Sequence, residues 1–180
     1  MKSRSLLSAA AIGLVLAVAA APAIGQALRN HDSNAPVDVE ADRIEVQDRA
    51  DRAVFSGNVK VRQAGLALDA ARLTVAYAGG AASQGIQIQR LDASGGVTVR
   101  SASETARGEF AIYDLNRRQI TMLGGVVLDQ GASQVRGGRM VIDLDSGRAV
   151  VDGSSVGGAG VGTGTGGRVT GRFTVPQRAK

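Results

Sequence analysis

An all-β domain of repeated short antiparallel strands is the fold class this sequence predicts, and three observations predict it. Alternation of period two dominates in short runs between Val37 and Asp152, with almost no helical periodicity. Gly, Asn, Asp and Ser punctuate these runs, as turns require. One phrase also returns: Gly57-Asn58-Val59, Gly95-Gly96-Val97 and Gly124-Gly125-Val126, spaced 38 and 29 residues apart.

The first residues stand outside the fold. Lys2 and Arg4 precede an uncharged run, Leu6–Ala21, rich in Ala, Leu and Val, and small residues follow it. That order is a secretory signal peptide, and the run is short for a span of roughly 20 residues. Residues 1–27 are therefore expected to be removed, with cleavage after Ala27 or alternatively after Ala23. Residues 28–36 and 177–180 read as loose ends. What remains is the size of one ordinary domain and carries a net charge of about +3 with both signs interspersed. No concentrated basic footprint of a nucleic-acid binder is present. The chain has no cysteine, so stability has to come from sheet pairing and aliphatic burial.

Within the domain, Val37-x-Val39, Ile44-x-Val46, Val59-x-Val61, Leu66-x-Leu68 and Leu73-x-Val75-x-Tyr77 alternate first. Ile86-x-Ile88, Val97-x-Val99, Phe110-x-Ile112, Val126-x-Leu128 and Met140-x-Ile142-x-Leu144 follow. Side chains on a strand alternate faces, so each run puts its aliphatic groups on one side. A second phrase interleaves with the first: Arg43-Ile44-Glu45-Val46, Arg72-Leu73-Thr74-Val75, Glu109-Phe110-Ala111-Ile112 and Arg139-Met140-Val141-Ile142. Units near 30 residues predict a rolled array whose neighbours complete one core. Glycine permits positive φ, so each Gly-x-Val phrase is read as a corner where a strand bends. Proline suits strand ends, and Pro36 and Pro176 bracket a domain over 37–176, with a flexible glycine-rich loop at 153–167 before a final strand at Arg168–Val175.

Catalytic signals are thin. The run Gly162–Gly167 lacks the flanking elements of a phosphate-cradling loop. The single His31 lies in the N-terminal segment, whereas zinc sites need clustered ligands; neither a metal nor a cofactor is implied. Asp38, Glu40 and Asp42 share one strand face, as do Asp143 and Asp145, a pattern that solvated strands also give. An enzyme is not expected. The notable feature is an aliphatic face of Phe55, Val59, Val61, Leu66, Leu68, Leu73, Val75, Ile112, Met122, Val126, Leu128, Met140 and Ile142. It builds either a filled sandwich core or a trough for acyl chains, and composition does not choose between them.

Val37-Asp38-Val39-Glu40-Ala41-Asp42, Val54-Phe55-Ser56-Gly57-Asn58-Val59 and Asp69-Ala70-Ala71-Arg72-Leu73-Thr74-Val75 resemble the OstA-like domain family of lipopolysaccharide-transport proteins. The similarity continues through Leu123-Gly124-Gly125 and Gly137–Ile142 to Arg168–Pro176. The resemblance implies a twisted antiparallel β-jelly roll, open at the ends, in the periplasm, with an apolar interior that holds the acyl chains of lipid A. Within matched segments it points to Phe55, Val59, Leu66, Leu73 and Val75. It also implies head-to-tail stacking between an LptC-like inner-membrane protein and an LptD-like outer-membrane protein. The edge strands carrying Val37, Val39 and Ala41, and Val169, Phe173 and Val175, are the expected contacts. Competing readings are an LptC-like tethered component, a β-roll polymer without lipid and, weakest, a polysaccharide-active enzyme. Arg62, Arg72 and Arg139 face either solvent or phosphates.

Overall fold

The computed structural model of the protein describes residues 31–79, 86–153 and 167–174; the expected signal peptide and most of the glycine-rich loop lie outside them. The strands are β1 (Asp38–Glu40), β2 (Arg43–Gln47), β3 (Arg52–Gln63), β4 (Leu66–Ala78), β5 (Gln87–Arg100), β6 (Glu104–Asp114), β7 (Gln119–Gln130), β8 (Ser133–Asp143), β9 (Arg148–Asp152) and β10 (Thr170–Arg172). All belong to one 10-stranded antiparallel sheet, a meander from β3 to β8. At one end β1 and β2 both pair with β3; at the other β9 and β10 both pair with β8. A single 3-10 turn, Asp48–Ala50, is the helical content of the described residues.

Each long strand is bent midway, so the sheet folds onto itself as two layers around one core. The bend falls where the recurring phrase predicts it. Gly57 and Asn58, Gly95 and Gly96, and Gly124 and Gly125 all have positive φ, between 46° and 84°, which Gly tolerates freely and Asn better than most. At this level the register slips between every pair of long neighbours, at Ser56/Val59, Asp69/Arg72, Ser94/Val97, Arg107/Phe110 and Leu123/Val126. The second phrase begins at the matching bends of the intervening strands, so the two repeats are two sides of one corner. The longer spacing between Gly57 and Gly95 includes the longer stretch of chain between the end of β4 at Ala78 and the start of β5 at Gln87.

The corner has a packing requirement as well as a conformational one. A Cβ on Gly95 would lie 2.7 Å from the Cβ of Ala71, and one on Gly124 would lie 2.7 Å from the Cβ of Glu109. Inside the fold, Leu73, Leu91, Ile120, Met122 and Met140 are fully buried, with Val59, Val97 and Val126 beside them.

Three sequence expectations change. The edge strand expected over Val37–Ile44 splits into β1 and β2 around Ala41 and Asp42, because Asp42 turns the corner: its N–H donates to the Gly57 carbonyl at 2.9 Å. Asp42 therefore leaves the strand face of Asp38 and Glu40. The last strand is shorter than Arg168–Val175, comprising Thr170–Arg172 opposite Gln134–Arg136. Residues 31–35, expected to be loose, are fastened to the end of β3 by the Gln63 amide. Gly95→Ala is expected to cost roughly 1–3 kcal/mol through backbone strain alone, measured by urea denaturation. Gly65→Ala, at a site with open space and no positive φ, should stay within about 0.5 kcal/mol of the parent.

Candidate functional site

The inner face is assembled by register. Phe55 pairs with Leu73, Val61 with Leu68, Leu68 with Val99, Met122 with Met140, and Leu128 with Val135. Of the expected interior residues, Val59, Val61, Leu66, Leu68, Leu73, Val75, Met122, Val126, Met140 and Ile142 are buried in the one core, and Phe55 and Leu128 pack against it half-buried.

Ile112 is a correction. The bend in β6 changes which parity points inward: Glu104 and Ala106 face in before it, Ala111 and Tyr113 after it. Phe110 and Ile112 therefore face outward, and Phe110 is 49% exposed. Sequence reasoning also missed Leu91, Ala93, Ala111, Tyr113 and Ile120, all buried. The edge residues need correction too. Val37, Val39 and Ala41 pack against the core, so β1 offers a partner its backbone rather than these side chains. Val169 and Phe173 are exposed, and Val175 lies outside the described residues.

The middle of the roll is filled by the chain's own side chains, but its two ends are not. Ile44 and Val46 pair with Phe55 and Ala53, which places them on the inner face, yet they are 56% and 58% exposed. At the far end Gly171 pairs with Val135, so Val169 and Phe173 share its inward parity, and they are 44% and 51% exposed. The apolar inner face thus runs past the core at both mouths. Ile44 and Val46 belonged to a legible alternation; what the sequence did not reveal is that nothing in the described residues covers them.

Between the rims of the two layers runs a lateral seam. Near the β1–β3 end it is latched: the Tyr113 hydroxyl donates to Gln63 Oε1 at 2.8 Å, linking strands that are not neighbours in the sheet. His31 Nε2 donates to the same oxygen at 3.1 Å, and Gln63 Nε2 donates to the Ser33 and Ala35 carbonyls at 3.0 and 2.9 Å. Further along, a small recess of about 10 Å³ opens between Val99, Ser101, Glu104, Ala106, Leu128 and Ile142. That is room for about one water molecule. Glu104 is 7% exposed, and burial pushes its carboxyl above the usual carboxylate range.

Several of the remaining carboxylates have structural partners. Asp143 accepts from the Ser146 N–H and hydroxyl, both at 2.7 Å, in the β8–β9 turn, and those bonds hold it below its ordinary value. Asp145 pairs with Arg118 at 3.0 Å, and Asp42 accepts from Asn58 Nδ2 at 2.8 Å. Arg62 and Arg139 pair with Glu40 and Asp152, each at 3.6 Å. No group of three metal-ligating side chains occurs among the described residues.

A rolled antiparallel sheet with an apolar inner face and uncapped ends defines a β-jelly roll. The family model described as "LptA/(LptD N-terminal domain) LPS transport protein" matches residues 38–148. The chain belongs to that OstA-like family. A relative from Rhizobium meliloti (strain 1021), named "Uncharacterized protein R00383", is 32% identical over 153 residues, covering 79% of this chain and 82% of its own. The solved structure of LptH from Pseudomonas aeruginosa, described as "the LptA homologous periplasmic component of the conserved lipopolysaccharide transport device", superposes with a TM-score of 0.67. It is 16% identical and covers 81% of this chain and 99% of its own, which bears out the jelly-roll fold.

Two outcomes follow from the buried polar groups. Tyr113→Phe should cost about 0.5–1.5 kcal/mol, read by chemical denaturation, with His31 still donating to Gln63. Because burial raises the Glu104 pKa, the native protein binds more protons than the unfolded chain as pH rises past the ordinary carboxyl value of 4.5, and stability falls through that window. Glu104→Gln should therefore melt higher than the parent at pH 7, and the gap should close at pH 4.

Proposed function

We propose that this protein is a periplasmic bridge component of lipopolysaccharide transport that shelters the acyl chains of lipid A along its inner face. One observation carries the reading beyond family membership: apolar side chains of the inner face continue, uncovered, out of both ends of the roll. A closed sandwich has no use for Ile44, Val46, Val169 and Phe173 in those positions, since exposed apolar surface of this kind usually marks an interaction site.

The driving force is ordinary. Removing an acyl chain from water yields about 0.8 kcal/mol per methylene, so a dozen methylenes gain on the order of 10 kcal/mol before entropy costs. The filled middle of the roll has to part for the chains, and lipid then replaces side-chain contacts with contacts of the same apolar kind. The energy for directional movement is assigned to partners at the inner membrane.

The open strands suit stacking. β1 and β2 at one end and β9 and β10 at the other are edges of different composition, and a contact between unlike surfaces propagates head to tail. Strand addition across such edges would join copies of this chain, or this chain to LptC-like and LptD-like jelly rolls at the two membranes. Stacking also covers the exposed apolar residues at each mouth and makes their inner faces continuous.

Photo-crosslinkers placed at Phe55 and Ile44, with Phe110 on the outer face as control, test the carrier reading in cells. Lipopolysaccharide adducts are expected at the first two positions and not at the third. Absence of adducts at both inner positions would favour a β-roll polymer without lipid.

A further inference from the structure

Two polar side chains are buried among the described residues, Gln63 and Glu104, and they differ in one respect. Both polar atoms of Gln63 are bonded, twice each. Glu104 is only half satisfied. Its Oε1 accepts from Gln130 Nε2 at 2.9 Å, while Oε2 is buried with no partner. No Arg or Lys among the described residues pairs with it.

The carboxyl is also fixed in place. The Glu104 N–H donates to Ser101 Oγ at 3.2 Å, and the Ser101 N–H donates to the Glu104 carbonyl at 2.9 Å, so the β5–β6 turn holds the residue from both sides. Glu104 has the inward parity of Ala106 and lines the recess with Val99, Ala106, Leu128 and Ile142. A buried acceptor without a donor is costly, and here it sits on an otherwise apolar face at the seam between the layers.

We propose that Glu104 reads the ligand: the recess takes a hydrogen-bond donor, a hydroxyl or amide N–H, carried on an apolar chain. The aliphatic lining receives the carbons, and Oε2 receives the proton of the donor. A carboxylate or phosphate at this point would meet like charge or a second acceptor and is disfavoured. This site rests on the carrier reading, because the recess of about 10 Å³ has room for about one water molecule and the layers have to part before a chain can reach it.

The test uses octan-1-ol and octyl methyl ether, which share a chain and an oxygen but differ in the donor. Binding to the purified chain is followed by NMR of the Leu128 and Ile142 methyl groups. The parent should bind the alcohol about tenfold more tightly than the ether, the scale of a hydrogen bond to a charged or strongly polarised acceptor. Glu104→Leu should bring the two within about twofold by losing alcohol affinity while the ether still binds. Should that variant not fold, Glu104→Gln, which keeps an acceptor for Gln130, should show a reduced preference. Equal affinities in the parent overturn the site and leave the carrier reading standing. If neither compound perturbs these methyls, the site falls, and crosslinking at Phe55 decides the carrier reading separately.

Discussion

Pairs of residues with left-handed backbone, set at one level in β3, β5 and β7, hold a single sheet folded onto itself. Without them the strands would continue as a long, flat ribbon with one apolar face in water. With them, each strand contributes to both layers, and the core arises from hairpin neighbours instead of from two separately formed sheets. The constraint is steric as well as conformational, since Gly95 and Gly124 are crowded by Ala71 and Glu109. Fold, inner face and open ends all follow from that one line of corners.

The inside of the roll carries two opposed requirements. A filled middle gives a chain without cysteines enough buried aliphatic surface to stay folded, while the proposed sheltering of a lipid needs that same surface. The layers meet through apolar packing, which is non-directional, together with a sparse set of polar contacts at the seam. The Tyr113–Gln63 bond joins the rims at one end, and His31, Ser33 and Ala35 bring the N-terminal segment onto the same amide. Such a seam permits the layers to separate without dismantling the ladders within either one.

Much of this was legible in the residues. Alternation gave the class, and the repeated glycine phrases located the corners, because positive φ leaves a mark on sequence that few residues can substitute for. The assignment of Ile112 to the interior failed for a physical reason. A bend that inserts or drops one residue changes the inward parity of everything beyond it, and β6 bends at Gly108 and Glu109 without a tell-tale glycine pair. Alanines also hide core positions: Ala93, Ala106 and Ala111 are buried but carry little hydrophobic signal beside Phe110 or Ile112. Strands do lie at both edges, split at one and shortened at the other, and their side-chain directions depend on which layer each short strand extends. Glu104 was invisible as a buried group, because a turn residue followed by Thr105 reads as solvated.

The account stands or falls on whether the two layers separate to admit a chain. Spin labels on the exposed turn residues Ala102 and Asn116, one on each rim of the seam, give their spacing by double electron–electron resonance. Addition of lipopolysaccharide should shift that distance distribution to longer values. A distribution unchanged by saturating lipopolysaccharide would mean that the core stays closed, and would contradict the account.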